Sequence, residues 1–130
     1  MDGNKMKLTI YEKNAADWLC KAQDVMGEEG SVSKYYKIGE GWSKEGYQEV
    51  SGYIIPTFIR LYEKTGEKDY FNRAVKIADW LIKIQGKDGQ WQYVFDTGQV
   101  LLGLTCLNHA LKQATRCESH LSGEMMGIRS

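Results

Sequence analysis

A chain of 130 residues has room for one domain with a hydrophobic core, not for two. Its 17 lysines and arginines cancel its 17 aspartates and glutamates, and the signs are interspersed, so no basic field draws it to nucleic acid or an acidic membrane. The longest nearly apolar run, Val100 to Leu107, is far short of the ~20 residues that a membrane span needs.

Three cysteines (Cys20, Cys106, Cys117) with no CxxC fit a reduced protein, and Met1–Lys5 has no apolar signal core. The expectation is a soluble, cytoplasmic protein. One proline, with glycines clustered between periodic segments, favours helices joined by short turns.

Leu8, Tyr11, Ala15, Trp18, Leu19 and Ala22 recur at three- and four-residue steps and predict a first helix from Leu8 to Gln23. It stops at Gly27–Gly30. A long connection from Ser31 to Gln48 carries Tyr35, Tyr36, Trp42 and Tyr47, more aromatic surface than an idle linker needs. The second helix spans Val50 to Lys64, with Ile54, Phe58, Leu61 and Tyr62 inward. Pro56 requires either a later start or a bend. Thr65-Gly66 ends this helix.

A third helix keeps phase from Tyr70 to Gln85, so the short connection makes helices two and three an antiparallel hairpin. After the glycine turn from Gly86 to Tyr93, Asp96-Thr97-Gly98-Gln99 reads as a capping box opening a fourth helix. Periodicity ends at Arg116. The domain is therefore expected over residues 1–116, with 117–130 an irregular tail. The fold class is all-α, four helices in antiparallel hairpins.

The chain repeats itself. Ala16-Asp17-Trp18-Leu19-Cys20-Lys21-Ala22-Gln23 matches Ala78-Asp79-Trp80-Leu81-Ile82-Lys83-Ile84-Gln85 at six positions. Tyr47-Gln48-Glu49-Val50-Ser51-Gly52 aligns with Tyr93-Val94-Phe95-Asp96-Thr97-Gly98. The unit is helix, aromatic glycine loop, helix, twice over.

Arg73-Ala74, Trp80-Leu81-Ile82 and Gln85-x-x-x-Gly89-x-Trp91 resemble the QW motif of squalene and hopene cyclases and related α/α toroids. The first copy keeps Trp18-Leu19 and Gln23, places Gly30 three residues late and has Val32 in place of the tryptophan. The resemblance covers Leu8 to Thr115. It implies that helices one and three are outer and two and four inner, that Trp91 is structural, and that loops entering the inner helices line a ligand-binding mouth. It also implies a partial toroid, an arc of about four helices ending where a third repeat should begin. The cyclases' DxDD motif is absent, and the prenyltransferase zinc set has no counterpart. The loop wording from Tyr47 to Thr57 and from Val94 to Val100 is more similar to α/α toroids associated with bacterial polysaccharides.

These features define candidate sites. Glu49 and Asp96, at equivalent positions of the two copies, are the candidate catalytic pair, since two carboxylates across a cleft are the minimum for glycoside acid–base chemistry. Helix capping explains the same two residues without a ligand. Tyr36, Trp42, Tyr47, Tyr93 and Gln99 are candidate ligand-binding residues, with aromatic faces suited to sugar rings or apolar chains. Cys106-x-x-His109 and Cys117-x-x-His120 have zinc-type ligands, but Cys106 and His109 lie off the apolar stripe and the others fall in the tail, so no metal is expected. No phosphate loop is present, and no cofactor is expected.

Three functions fit these features. One is binding or processing of a saccharide at the inner-helix mouth. Another is binding of an isoprenoid chain in a terpene-cyclase-like or prenyltransferase-like cavity. The last is a non-catalytic module that pairs with another copy through exposed helix faces, as a homo-oligomer.

Overall fold

The computed structural model of the chain describes residues 6–91 and 97–126, with side chains to residue 113. It is all-α apart from one small hairpin: α1 (Ile10–Asp24), β1 (Tyr36–Lys37), β2 (Gly41–Trp42), α2 (Gln48–Thr65), α3 (Lys68–Ile84) and α4 (Thr97–Met126). A single 3-10 turn, Gly27–Glu29, follows α1.

Local chemistry sets each boundary. Thr9 caps α1 through a capping box: its hydroxyl accepts from the Glu12 N–H, and the Glu12 carboxylate accepts from the Thr9 N–H. Gly66, at φ 76°, closes α2 with its N–H on the Tyr62 carbonyl, and α3 begins two residues later. The tight connection folds α2 and α3 into the expected antiparallel hairpin. Tyr62 meets Phe71 edge-on, and Phe58 stacks on Tyr70.

Pro56 lies inside α2 rather than at its start. Having no N–H, it leaves the Gly52 carbonyl without its helical donor. That carbonyl faces α4 at Gly103, where an added Cβ would stand 2.1 Å from the Gly52 oxygen. Such proximity of a glycine Cα to a carbonyl is the geometry of a Cα–H···O contact. The proline and the helix crossing are thus one feature.

The core centres on α2, which packs against both α3 and α4. Ile55, Phe58, Ile77, Leu81 and Val100 are fully buried there, each adding about 1.5–3 kcal/mol of transfer free energy. Along α3, Tyr70, Phe71, Ala74, Ile77, Ala78, Trp80 and Leu81 are buried.

The face of α1 differs from expectation. Tyr11, Ala15 and Trp18 point outward, with Tyr11 83% and Trp18 51% exposed, while Ala16, Ala22 and Gln23 are buried. Gln23 explains the change. Its amide donates to the Gly30 and Arg73 carbonyls, and its oxygen accepts from Arg73, whose guanidinium also reaches the Cys20 carbonyl and Asp24. A satisfied polar network holds that side of α1 against α3, and apolar periodicity does not register it.

The two glycine turns are built alike. Gln23 donates to the Gly30 carbonyl and Gln85 to the Gly89 carbonyl, at 3.0 and 2.7 Å, and both glycines have φ 87°. Two residues on, Val32 and Trp91 are both buried. The Trp91 indole N–H donates 2.8 Å to the Leu81 carbonyl, one of the last four of α3 and so without a helical partner. Trp91 is a structural cap.

The backbone of α4 continues to Met126, beyond the expected end at Arg116 and through much of the expected irregular tail. No proline falls in that stretch, and most of its residues are adequate helix formers, so the hydrogen-bond ladder needs no apolar stripe to continue.

Candidate functional site

The long connection after α1 folds into a hairpin. Tyr36 pairs with Trp42 and Lys37 with Gly41, and a bridge between Ser33 and Gly46 closes the base. Its tip is a Lys37–Glu40 turn with Gly39 at φ 86°, a conformation glycine adopts without strain. The Ser33 hydroxyl ties the strands by donating to the Ser43 carbonyl at 2.8 Å. The base is held to α1 by Ser33 N–H on the Ala22 carbonyl, and to α2 by Val32 N–H on the Ser51 hydroxyl. Gly46 is required there, since a Cβ would stand 2.4 Å from Ser31 Oγ.

Directly paired residues of a hairpin share a face. Tyr36 and Trp42 therefore lie together, with ring centroids 5.1 Å apart, and both meet Trp18 of α1, at 5.6 and 4.7 Å. The three rings form a partly exposed ledge, Tyr36 being 46% exposed.

At the foot of the same hairpin an open groove of about 660 Å³ runs to the start of α2, lined by Glu29, Lys34, Lys44, Glu45, Tyr47 and Gln48. Lys34 pairs with Glu45 at 3.7 Å, and its ammonium lies 5.8 Å from the Tyr47 ring centroid. Both interactions are at the surface and weak, so these side chains can be recruited by a ligand at small cost. The Gln48 amide oxygen is buried and has no partner among the described residues. The Ser31 hydroxyl bonds to Glu29 at the far side.

The first turns of α2 and α4 come together. A Cβ on Gly52 would lie 2.9 Å from the Gln99 carbonyl oxygen. Glu49, one turn before Gly52, and Gln99 are half-buried at this end. Asp96 and Tyr93 lie outside the described residues.

Among the sequence candidates, then, Tyr36, Trp42 and Tyr47 share one hairpin and its root, while Glu49 and Gln99 mark the adjoining helix starts. Sequence reasoning missed Trp18 as an exposed ring, and Lys34, Lys44, Glu45 and Gln48 as groove walls. The available signal was the Tyr-Lys-x-Gly-x-Gly-Trp spacing of a tight hairpin.

Burial pushes the Cys20 and Cys106 thiols up from their ordinary values, so both stay protonated and poorly nucleophilic near neutrality. Among the described residues no three His, Cys, Asp or Glu side chains converge as a metal site. The Cys117 and His120 side chains lie outside the described set. No described helix is long and apolar enough to cross a membrane. Comparison with family models, curated proteins and solved structures returns no match.

Proposed function

We propose that the chain is built of two α/α-toroid-type units and binds a saccharide along the groove between the Ser33–Gly46 hairpin and the start of α2. The observation behind this reading is the mixture of surfaces carried by one hairpin and its root. A pyranose presents an apolar C–H face and a belt of hydroxyls. The Tyr47 ring in the groove suits the first, with the Tyr36–Trp42 ledge on the same hairpin, and Lys34, Lys44, Glu45 and Gln48 suit the second. The groove volume is within the range of small-ligand sites, roughly 300–1,000 Å³.

The reading is of binding. Glycoside chemistry needs two carboxylates at a set separation, and only Glu49 of the candidate pair has a described position. An isoprenoid chain is favoured less. It needs an apolar channel between α2 and α4, yet those helices are in backbone contact at Gly52 and Gly103.

Titration with oligosaccharides, followed by tryptophan fluorescence, tests the proposal. Lys44→Ala and Tyr47→Ala should each weaken binding by about tenfold, the loss of one charge-assisted or aromatic contact, with far-UV circular dichroism unchanged. Unaltered affinity in both variants would refute this location, and loss of an established affinity in Glu49→Ala alone would move the site to the helix starts.

A further inference from the structure

The internal repeat exposes an interface of which only half is used. Inside the chain, α3 is covered on two sides. One side meets α2. The other carries Arg73 and Trp80, with Ile77 bordering them on the helix surface, and meets the end of the first unit. There Arg73 bonds to the Cys20 carbonyl, Gln23 and Asp24, and the Gln23 amide donates to the Arg73 carbonyl. Trp80 lies against Gly46, where an added Cβ would stand 3.0 Å from its ring. Ile77 is fully buried and Trp80 nearly so.

Aligning Ala16–Gln23 on Ala78–Gln85 gives Tyr11, Ala15 and Trp18 as the counterparts of Arg73, Ile77 and Trp80. All three are exposed, while Ala16, the counterpart of Ala78, is buried like it. So α1 keeps its inner side covered, and on the side that α3 buries it leaves Tyr11 and Ala15 bare and Trp18 half-exposed beside its own hairpin's Tyr36 and Trp42.

At the C-terminal end of α3 the matching surface is exposed among the described residues. Cys20, Gln23 and Gly30 form the surface that receives α3, and all three are at least half-buried. Their counterparts Ile82, Gln85 and Gly89 are exposed, Ile82 at 59%. The residue types change together on the two sides. Where the internal contact has Arg73 opposite Asp24 and the Cys20 carbonyl, the bare faces have Tyr11 opposite Gly86 and Ile82, an apolar pairing in place of an ionic one.

We propose that a second copy of this chain seats its α1, through Tyr11, Ala15 and Trp18, on the Ile82–Gly89 end of the first, continuing between copies the α1–α3 contact within each. Gln85 then donates to the Tyr11 carbonyl of the next copy as Gln23 donates to that of Arg73. The contact is heterologous, one end against the other, and each copy keeps one free edge of each kind. Its test is independent of the saccharide reading, because Tyr11 and Ile82 take no part in the groove, although Trp18 of the same face touches the Tyr36 and Trp42 rings.

Sedimentation velocity at tens of micromolar tests it, with Tyr11→Asp and Ile82→Asp as variants that each spoil one edge. Both positions are exposed, so the fold should survive, and circular dichroism checks that it does. The wild type should show concentration-dependent species larger than the monomer. Each variant alone should associate about tenfold more weakly or worse, because every contact needs both edges. An equimolar mixture of the two variants should recover a heterodimer that grows no further, since each supplies the edge the other lacks. A wild type that stays monomeric, variants that associate as the wild type does, or a mixture that remains monomeric would overturn the proposal. A monomer would leave these faces for another polypeptide.

Discussion

The crossing of α2 and α4 makes a prediction whose sign separates two effects. Replacing a helical glycine by alanine ordinarily stabilises a helix by about 1 kcal/mol. At Gly103 the added Cβ would stand 2.1 Å from the Gly52 oxygen and 2.9 Å from its carbonyl carbon, both backbone atoms with no rotamer to change. The helices must separate by about 1 Å at that level, and a gap of that size forfeits a quarter to a half of the dispersion energy of the contacts it opens. Buried Val100 and Leu107 on α4 and Ile55 on α2 lie in the affected layer. Overpacking costs roughly 1–3 kcal/mol and occasionally more, and a clash between two backbones with no rotamer to yield falls at the upper end, above the propensity gain. Gly103→Ala should therefore be destabilising by about 1–3 kcal/mol net, lowering the thermal midpoint by roughly 5–15 °C in a domain of this size. Gly52→Ala, whose Cβ would meet Val100 Cα at 2.8 Å, should act in the same direction. Thermal and urea unfolding of both variants measure it. A rise in midpoint for either would refute the close crossing.

Trp91→Phe keeps the buried ring but removes its hydrogen bond to the Leu81 carbonyl. It should cost about 1–2 kcal/mol in urea unfolding, the price of a hydrogen bond with its acceptor left dry. Glu12, hydrogen-bonded by Lys64 and by the Thr9 N–H, has its pKa held down to about 2 from 4.5. A carboxylate with a lowered native pKa contributes stability that is present above the unfolded value and lost as pH falls through the folded one. The wild-type midpoint should therefore fall between pH 4.5 and 2 more steeply than that of Glu12→Gln. Parallel pH profiles would contradict the Glu12–Lys64 clasp.

The helices and turns were legible because local chemistry specifies them. Gly66 needs its left-handed conformation, and α3 carries an apolar stripe from Tyr70 to Leu81. The Thr9–Glu12 capping box was there to be read, but the apolar periodicity passes over it, and α1 starts at Ile10 rather than Leu8. The repeat was legible too, and the paired Gln23–Gly30 and Gln85–Gly89 bonds are its physical content. The orientation of α1 was not, because its buried side is held by Gln23 and Arg73, polar residues that a hydrophobic pattern counts as outward. The hairpin was hidden for another reason. Strands of two residues carry no measurable alternation, so its aromatic residues read as a rich loop without a shape. The groove walls were silent because Lys34, Lys44 and Glu45 look like any solvated charges until folding sets them beside Tyr47.

The saccharide reading is tested most directly by amide resonance shifts of the isotope-labelled protein during titration with neutral and acidic oligosaccharides. The account predicts saturable shifts for at least one sugar, concentrated at Lys34–Gln48, with the exposed turn after α3 unaffected. Saturable shifts confined to the starts of α2 and α4, or no saturable shift with any sugar, would contradict it.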